Sequence, residues 1–165
     1  MKTLYIVRHA KSDKDQEKLE DIDRPLNPRG YIDAHAMGSK LNDTRRKPEL
    51  IVSSPAIRAL TTALIFARKF NYDPKKIMLE HALYESSMKD YLKVIGELDN
   101  SFSSVMIFGH NSTITALVNS LTAPFTENVP TCGVTAILFT VNNWKEITKE
   151  PGKLVLYDFP KNPQR

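Results

Sequence analysis

The chain has 165 residues, and its 23 basic and 19 acidic side chains leave a net charge of +4. With 41% hydrophobic and 25% charged residues, the composition is that of an ordinary globular protein and argues against intrinsic disorder. One cysteine excludes an internal disulfide framework and a cysteine-rich zinc site. No apolar run approaches the ~18 residues of a membrane span, and the first apolar stretch is too short for a signal peptide. We therefore expect one cytoplasmic domain, residues 1–165, with a sizeable core.

Short apolar runs alternate with longer helical patterns, which is typical of an α/β protein with a mainly parallel sheet. In chain order, the runs that predict strands are residues 4–7, 50–52, 77–79, 105–108, 134–141 and 154–159. The third run is the weakest, and at least one of the last two is expected at a sheet edge. Helices are predicted from Asn27-Pro28 and Ser54-Pro55, which read as N-cap residues followed by proline, and around residues 91–98 and 114–121. Residues 160–165 are expected to fray.

Residues 11–24 break this pattern because they hold four Lys or Arg and six Asp or Glu side chains but only two aliphatic ones. A solvated loop is the simplest interpretation of such a charge run. The alternative is a mobile flap over whatever lies beside the first strand.

Three polar clusters follow predicted strands directly. Arg8-His9 follows the first strand, Arg58 lies just after the second, and Gly109-His110 follows the strand that ends at Phe108. Ligands of open α/β sheets bind outside the carboxyl ends of the strands, so these side chains are expected to converge on one crevice. Arg58 would also lie in the first turn of a helix, where the macrodipole disfavours a cation unless an anion lies between them.

The residue types at this crevice indicate phosphoryl chemistry. Two guanidinium groups can hold a phosphoryl group with bidentate, charge-assisted hydrogen bonds. A neutral imidazole can attack phosphorus and form a covalent phosphohistidine, and a second, protonated histidine can hydrogen-bond the equatorial oxygens. The sequence has no H-E-x-x-H metal motif, no phosphate-binding G-x-x-x-x-G-K-[ST] loop and no G-x-G-x-x-G, so we expect no metal and no cofactor.

The motifs resemble those of the histidine phosphatase superfamily, also called phosphoglycerate mutase-like. Arg8-His9-Ala10 resembles its R-H-G/A signature, residues 26–30 its L-T-x-x-G segment, residues 53–63 its S-S-P-x-x-R-A-x-Q-T-A helix start, and Gly109-His110 its second histidine. The small size and the Asp23-Arg24-Pro25-Leu26 stretch are most similar to short bacterial phosphohistidine phosphatases of the SixA type. The resemblance implies a three-layer α/β/α sandwich and a metal-free, two-step reaction.

The resemblance also implies roles for five residues. His9 would be the nucleophile, while Arg8, Arg58 and His110 would complete the phosphate pocket. Glu85, in Leu83-Tyr84-Glu85, would be the acid that protonates the leaving group, although a plain loop glutamate is the alternative.

Several other side chains are left with open or structural assignments. Lys11 and Ser12 follow the Arg8-His9 turn closely enough to touch a substrate, and Asn111 could either cap the following helix or donate to a phosphate. The sequence places no catalytic motif around the remaining histidines or the cysteine, so structural roles are expected for His35, His81 and Cys132.

The function expected from these residues is that of a histidine acid-type phosphatase. Its substrate would be a phosphohistidine-bearing protein, with small phosphomonoesters or a phosphoglycerate mutase reaction as alternatives. A non-enzymatic anion-binding module is the last alternative. A basic cluster with interleaved aromatics is missing, so neither nucleic acid nor membrane is expected as a partner. The oligomeric state stays open.

Overall fold

The fold is described from a computed structural model over residues 1–163; Gln164 and Arg165, which belong to the end expected to fray, lie outside the described residues. Four helices and six strands alternate along much of the chain. Their bounds are β1 Lys2–Arg8, α1 Pro28–Asp43, β2 Leu50–Ser53, α2 Ile57–Lys69, β3 Met78–Leu79, α3 Met88–Gly96, β4 Ser104–Gly109, α4 Thr113–Leu121, β5 Val134–Phe139 and β6 Lys153–Asp158.

The described strands form one sheet in the order β3-β2-β4-β1-β5-β6. β1, β4, β2 and β3 are parallel to one another, whereas β5 is antiparallel to both of its neighbours. Only β5 therefore runs against the others, and the prediction of a mainly parallel sheet is confirmed. The weak third strand is a two-residue edge strand, and β6 forms the other edge, as expected for one of the late segments.

The two faces of the sheet carry separate apolar clusters. Leu4 and Ile6 of β1 pack toward α3 and α4, while Tyr5 and Val7 pack toward α1 and α2. Alternate side chains of a strand point to opposite faces, so this central strand contributes to both clusters. Leu4, Ile6 and Val7 are fully buried, and each such side chain stabilises the fold by about 1.5–3 kcal/mol. The three-layer α/β/α sandwich is therefore confirmed.

The helix starts agree only in part with the prediction. Asn27 caps α1, because its side-chain oxygen accepts a 2.8 Å hydrogen bond from the Gly30 N–H. The expected cap at Ser54 is wrong: α2 begins at Ile57, with Ala56 as N-cap and no side-chain cap bond. The Ser54 hydroxyl instead lies 2.7 Å from a ring nitrogen of His110, and it accepts a 3.3 Å hydrogen bond from the N–H of Ala56, ahead of the first helical residue.

Among the helices described within residues 1–163, none combines the length and the apolar character that crossing a membrane requires.

Candidate active site

The three polar clusters meet because their strands are neighbours in the sheet. β4 lies between β1 and β2, with Arg8 in register with Gly109 and Ser53 in register with Phe108. The strand ends therefore open on one cavity of about 310 Å³. Its lining consists of Arg8, His9, Lys11, Ser12, Lys14, Arg24, Arg58, His110, Asn111 and Thr131. The two arginines and two histidines therefore lie around one cavity, as the sequence predicted.

His9 is held as a neutral ring with one nitrogen free. Its Nδ1 atom lies 2.7 Å from the carbonyl oxygen of Ala10. A carbonyl can only accept, so Nδ1 carries the proton and Nε2 keeps its lone pair. Burial, together with the positive charges of His110, Arg58 and Arg8, lowers the pKa of His9 from 6.5 to about 3. The ring therefore stays unprotonated at neutral pH, which is the form that can attack phosphorus.

His110 lies beside His9, with 5.3 Å between the ring centroids. Its Nε2 atom is 2.7 Å from the Ser54 hydroxyl, and burial followed by the Arg58 charge lowers its pKa to about 4. Bringing a dianion into the cavity would favour the protonated ring and reverse that shift. His110 can then donate a hydrogen bond to a bound oxyanion.

Gly109 is required for the position of His110. A Cβ atom at Gly109 would lie 2.2 Å from the Tyr91 hydroxyl oxygen, which is closer than any side chain tolerates. That buried hydroxyl accepts a 3.2 Å hydrogen bond from the His110 N–H and donates one to the Leu83 carbonyl. The glycine therefore lets a core tyrosine hold the backbone of His110.

The two arginines each keep part of their guanidinium group available. Arg8 Nη1 donates to the Val129 carbonyl at 2.9 Å, and Arg58 donates to Asp21 through both terminal nitrogens. Within residues 1–163, three buried nitrogen atoms of the lining have no hydrogen-bond partner: Arg8 Nε, Arg58 Nε and His110 Nδ1. Each buried, unsatisfied polar group costs about 1–3 kcal/mol. The lining also brings two guanidinium groups and two imidazole rings together, so the site is suited to an anion with several oxygens.

Asn111 and Cys132 hold the backbone around the site, Asn111 through its side chain and Cys132 through its N–H. The Asn111 side-chain oxygen accepts from the N–H and the hydroxyl of Thr115, and its amide nitrogen donates to Val129, so it caps the start of α4. The N–H of Cys132 donates to the His9 carbonyl, while burial raises the pKa of the Cys132 thiol.

Within residues 1–163 no group of three or more His, Cys, Asp or Glu side chains could hold a metal ion.

A family model described as the histidine phosphatase superfamily, branch 1, matches residues 4–94, which is more than half of the chain. The chain belongs to this superfamily.

This histidine phosphatase has relatives over most of its length. It is 28% identical to an uncharacterized protein of Mycobacterium leprae over 170 residues, which cover 94% of this chain and 100% of that one. It is 30% identical over 93 residues to a proposed phosphoserine phosphatase of Hydrogenobacter thermophilus, covering 55% of this chain and 43% of that protein. The crystal structure of the proposed phosphohistidine phosphatase SixA of Agrobacterium tumefaciens matches with a TM-score of 0.82 and 27% identity, over 96% of this chain and 98% of that one. The phosphoglycerate mutase-like, SixA-type fold is thereby confirmed, and the protein is a phosphatase of the histidine phosphatase superfamily.

Glu85, the fifth predicted site residue of this histidine phosphatase, is not brought into the cavity lining. It is exposed, and its backbone φ of 49° places it in the left-handed region. The preceding residue, Tyr84, packs edge-on against His110 with 5.6 Å between ring centroids. Glu85 therefore lies outside the cavity lining, next to a residue that contacts His110, and its role as the acid stays a prediction. The exposed His35 and His81 also lie outside the lining.

The charged segment of residues 11–24, here called the acidic segment, contributes to the site through Lys11 and Ser12, as the sequence allowed, and also through Asp21, which the sequence did not single out. Lys11, Ser12 and Lys14 line the cavity, together with Arg24 at the end of the segment. Asp21, in a short 3-10 turn, contacts Arg58. A charge run gives no signal that singles out one of its six carboxylates. The Asp23-Arg24-Pro25-Leu26 stretch, which begins two residues later, is the sequence feature that lies nearest to Asp21.

Proposed function

We propose that this phosphatase removes the phosphoryl group from phosphohistidine in a protein, through a covalent intermediate on His9. The observation that carries the proposal is the set of three buried, unpartnered nitrogens, on Arg8, Arg58 and His110, around the cavity that the neutral His9 ring also lines. These donors fit a phosphoryl group, and the free Nε2 of His9 fits its nucleophile.

The reaction has two displacements at phosphorus. In the first, the Nε2 lone pair of His9 forms a bond to phosphorus while the bond to the leaving group breaks, and the leaving group takes up a proton. In the second, water attacks the phosphohistidine, inorganic phosphate leaves, and the water's second proton is released as the His9 ring returns to its neutral form. Arg8, Arg58 and protonated His110 neutralise charge on the equatorial oxygens throughout.

The leaving group supports the assignment to phosphohistidine. Among the residues that line the cavity there is no carboxyl group that could protonate a departing atom. An imidazole leaving group needs little help, because its conjugate acid has a pKa near ~6.5, whereas an alkoxide needs a proton in the transition state. Phosphohistidine is therefore the substrate class that suits this lining best.

Two other reactions share the covalent intermediate. A small-molecule phosphomonoesterase is favoured by the similarity to the proposed phosphoserine phosphatase of Hydrogenobacter thermophilus. A phosphoglycerate mutase would return the phosphoryl group to its substrate instead of passing it to water.

Trapping the intermediate tests the proposal. The protein is incubated with a labelled phosphohistidine peptide in EDTA and quenched, and an acid-labile, base-stable phosphoryl adduct is expected. Release of that label as inorganic phosphate identifies a phosphatase, whereas its transfer to phosphoglycerate identifies a mutase. A higher kcat/KM on a phosphoserine peptide than on the phosphohistidine peptide would favour the monoesterase. Absence of an adduct with every donor would overturn the covalent mechanism.

The leaving group also makes the contribution of Glu85 depend on the substrate. If Glu85 reaches an alkoxide leaving group, Glu85→Gln should slow hydrolysis of alkyl phosphates more than hydrolysis of phosphohistidine or p-nitrophenyl phosphate. The measurement is kcat/KM on all three substrates, with Glu97→Gln, an exposed residue beyond the far end of α3, as the matched control. Equal losses on the three substrates would contradict a role in protonating the leaving group.

A further inference from the structure

We infer that Asp21 is a positioning residue, whose carboxylate orients the Arg58 guanidinium so that its free edge faces the phosphoryl group. The inference rests on the proposed function, because it assigns Arg58 to the phosphoryl group. It concerns a residue outside the cavity lining that acts through another side chain.

Asp21 accepts two hydrogen bonds from Arg58. The Nη1 atom of Arg58 donates to the Asp21 main-chain carbonyl at 2.7 Å, and Nη2 donates to its carboxylate Oδ2 at 3.0 Å. Within residues 1–163 the Arg58 guanidinium makes no other hydrogen bond, and the Arg58 side chain is only 7% exposed. Arginine carries five N–H groups, so the Nε–H and one N–H on each terminal nitrogen remain free. Asp21 therefore occupies one side of the fork and leaves another for a phosphoryl oxygen.

Asp21 is itself fixed from two directions. Arg24 reaches Oδ1 through Nε at 3.0 Å and through Nη2 at 2.9 Å, and the Tyr84 hydroxyl donates to Oδ2 at 2.6 Å. The ring of the same tyrosine packs against His110. One carboxylate thus links the acidic segment, the buried arginine and the flank of the second histidine.

The charge of Asp21 argues for positioning rather than proton transfer. The hydrogen bond from Tyr84, with those from Arg24 and Arg58, holds the pKa of Asp21 well below its usual range. The group is therefore ionised at neutral pH and has no proton to give to a leaving group. Its negative charge also opposes anion binding, so a carboxylate that merely sat near the cavity would weaken the site.

These two effects act on different kinetic quantities. Loss of orientation mainly removes stabilisation of the transition state and lowers kcat, since a displacement of about 1 Å can cost ~10²-fold in rate. Loss of the negative charge strengthens anion binding or leaves it unchanged. A falling kcat without weaker phosphate binding is thus the signature expected of a positioning carboxylate here, and a general loss of structure would not produce it.

The test compares Asp21→Ala with Asp21→Asn on p-nitrophenyl phosphate, with inorganic phosphate as a competitive inhibitor. We expect Asp21→Ala to lower kcat by roughly 30- to 100-fold, with an inhibition constant for phosphate that is unchanged or lower. Asp21→Asn should recover most of kcat, because its amide oxygen can still accept from Arg58. Asp23→Asn is the matched control: it removes the same charge from an exposed residue of the same 3-10 turn and should leave kcat unchanged.

Three results would overturn the inference: an unchanged or higher kcat in Asp21→Ala, a loss no larger than that of Asp23→Asn, or an Asp21→Asn variant as slow as Asp21→Ala. Circular dichroism on each variant checks that the fold is kept. Wild-type protein that turns over no phosphoryl donor would overturn the proposed function instead. Active wild type with an unaffected Asp21→Ala contradicts only the positioning role.

Discussion

Replacing His9 with Asn is expected to abolish the phosphoryl adduct and to lower kcat by on the order of 10⁴-fold or more, because the Nε2 lone pair that forms the covalent intermediate is lost with the ring. Asn is the informative replacement, since its side-chain N–H can still donate to the Ala10 carbonyl that His9 Nδ1 contacts at 2.7 Å. The measurements are the labelled adduct after quenching and the steady-state rate on p-nitrophenyl phosphate.

The two remaining histidines of the chain provide the controls for this result. His35→Asn and His81→Asn remove exposed rings outside the cavity, so adduct and rate should match those of the wild type. An adduct of undiminished amount in His9→Asn would place the nucleophile elsewhere, and His110 would then be the next ring to replace.

Replacing Arg58 with Ala should lower kcat/KM by about 10³-fold, the larger of the effects seen when one preorganised donor is removed from a developing oxyanion. Arg58 is 5% exposed, keeps an unpartnered Nε in the cavity lining and presents a fork rather than a point charge. Arg58→Lys should therefore restore only part of the loss, because an ammonium cannot form the bidentate contact. The assay is kcat/KM on a phosphohistidine peptide.

A second arginine of α2 controls for charge and for helix stability. Arg68 is exposed in the last turn of the helix, and Arg68→Ala removes the same charge without touching the cavity. Its kcat/KM should equal that of the wild type. Wild-type turnover in a folded Arg58→Ala protein would mean that the phosphoryl group is bound by other donors.

Three residues of this site could be predicted from sequence because each lies at the end of an apolar strand or directly after one. Arg8 ends β1, while His9 and His110 directly follow β1 and β4, and the parallel arrangement of those strands places their ends together. Local pattern and topology were sufficient there. The bounds of the helices were less secure, as Ser54 illustrates. A hydroxyl next to proline is typical of a cap, but the same hydroxyl can bond a ring nitrogen, and only the neighbouring strand decides between them.

The residues that sequence could not identify depend on contacts between distant segments. Asp21 and Tyr84 are 63 positions apart, and neither belongs to a periodic pattern that would bring them together. Their hydrogen bond arises because the 3-10 turn of the acidic segment packs against α2 near Arg58. The prediction of a solvated loop was correct for most of that segment, which is exposed, but composition could not show that one of its carboxylates reaches a buried arginine.

The two histidines of the site and Asp21, the residue that orients Arg58, lie in parts of the molecule with different local stability. His9 and His110 continue strands at the centre of the sheet, where the flanking Val7 and Phe108 are fully buried. Asp21 sits in a three-residue turn of an exposed segment. Protein segments with few buried contacts open at a far lower free energy than core strands. Mild heating or denaturant should therefore disengage Asp21 while the sheet stays protected from hydrogen exchange, so the enzyme would lose catalytic alignment well before it unfolds.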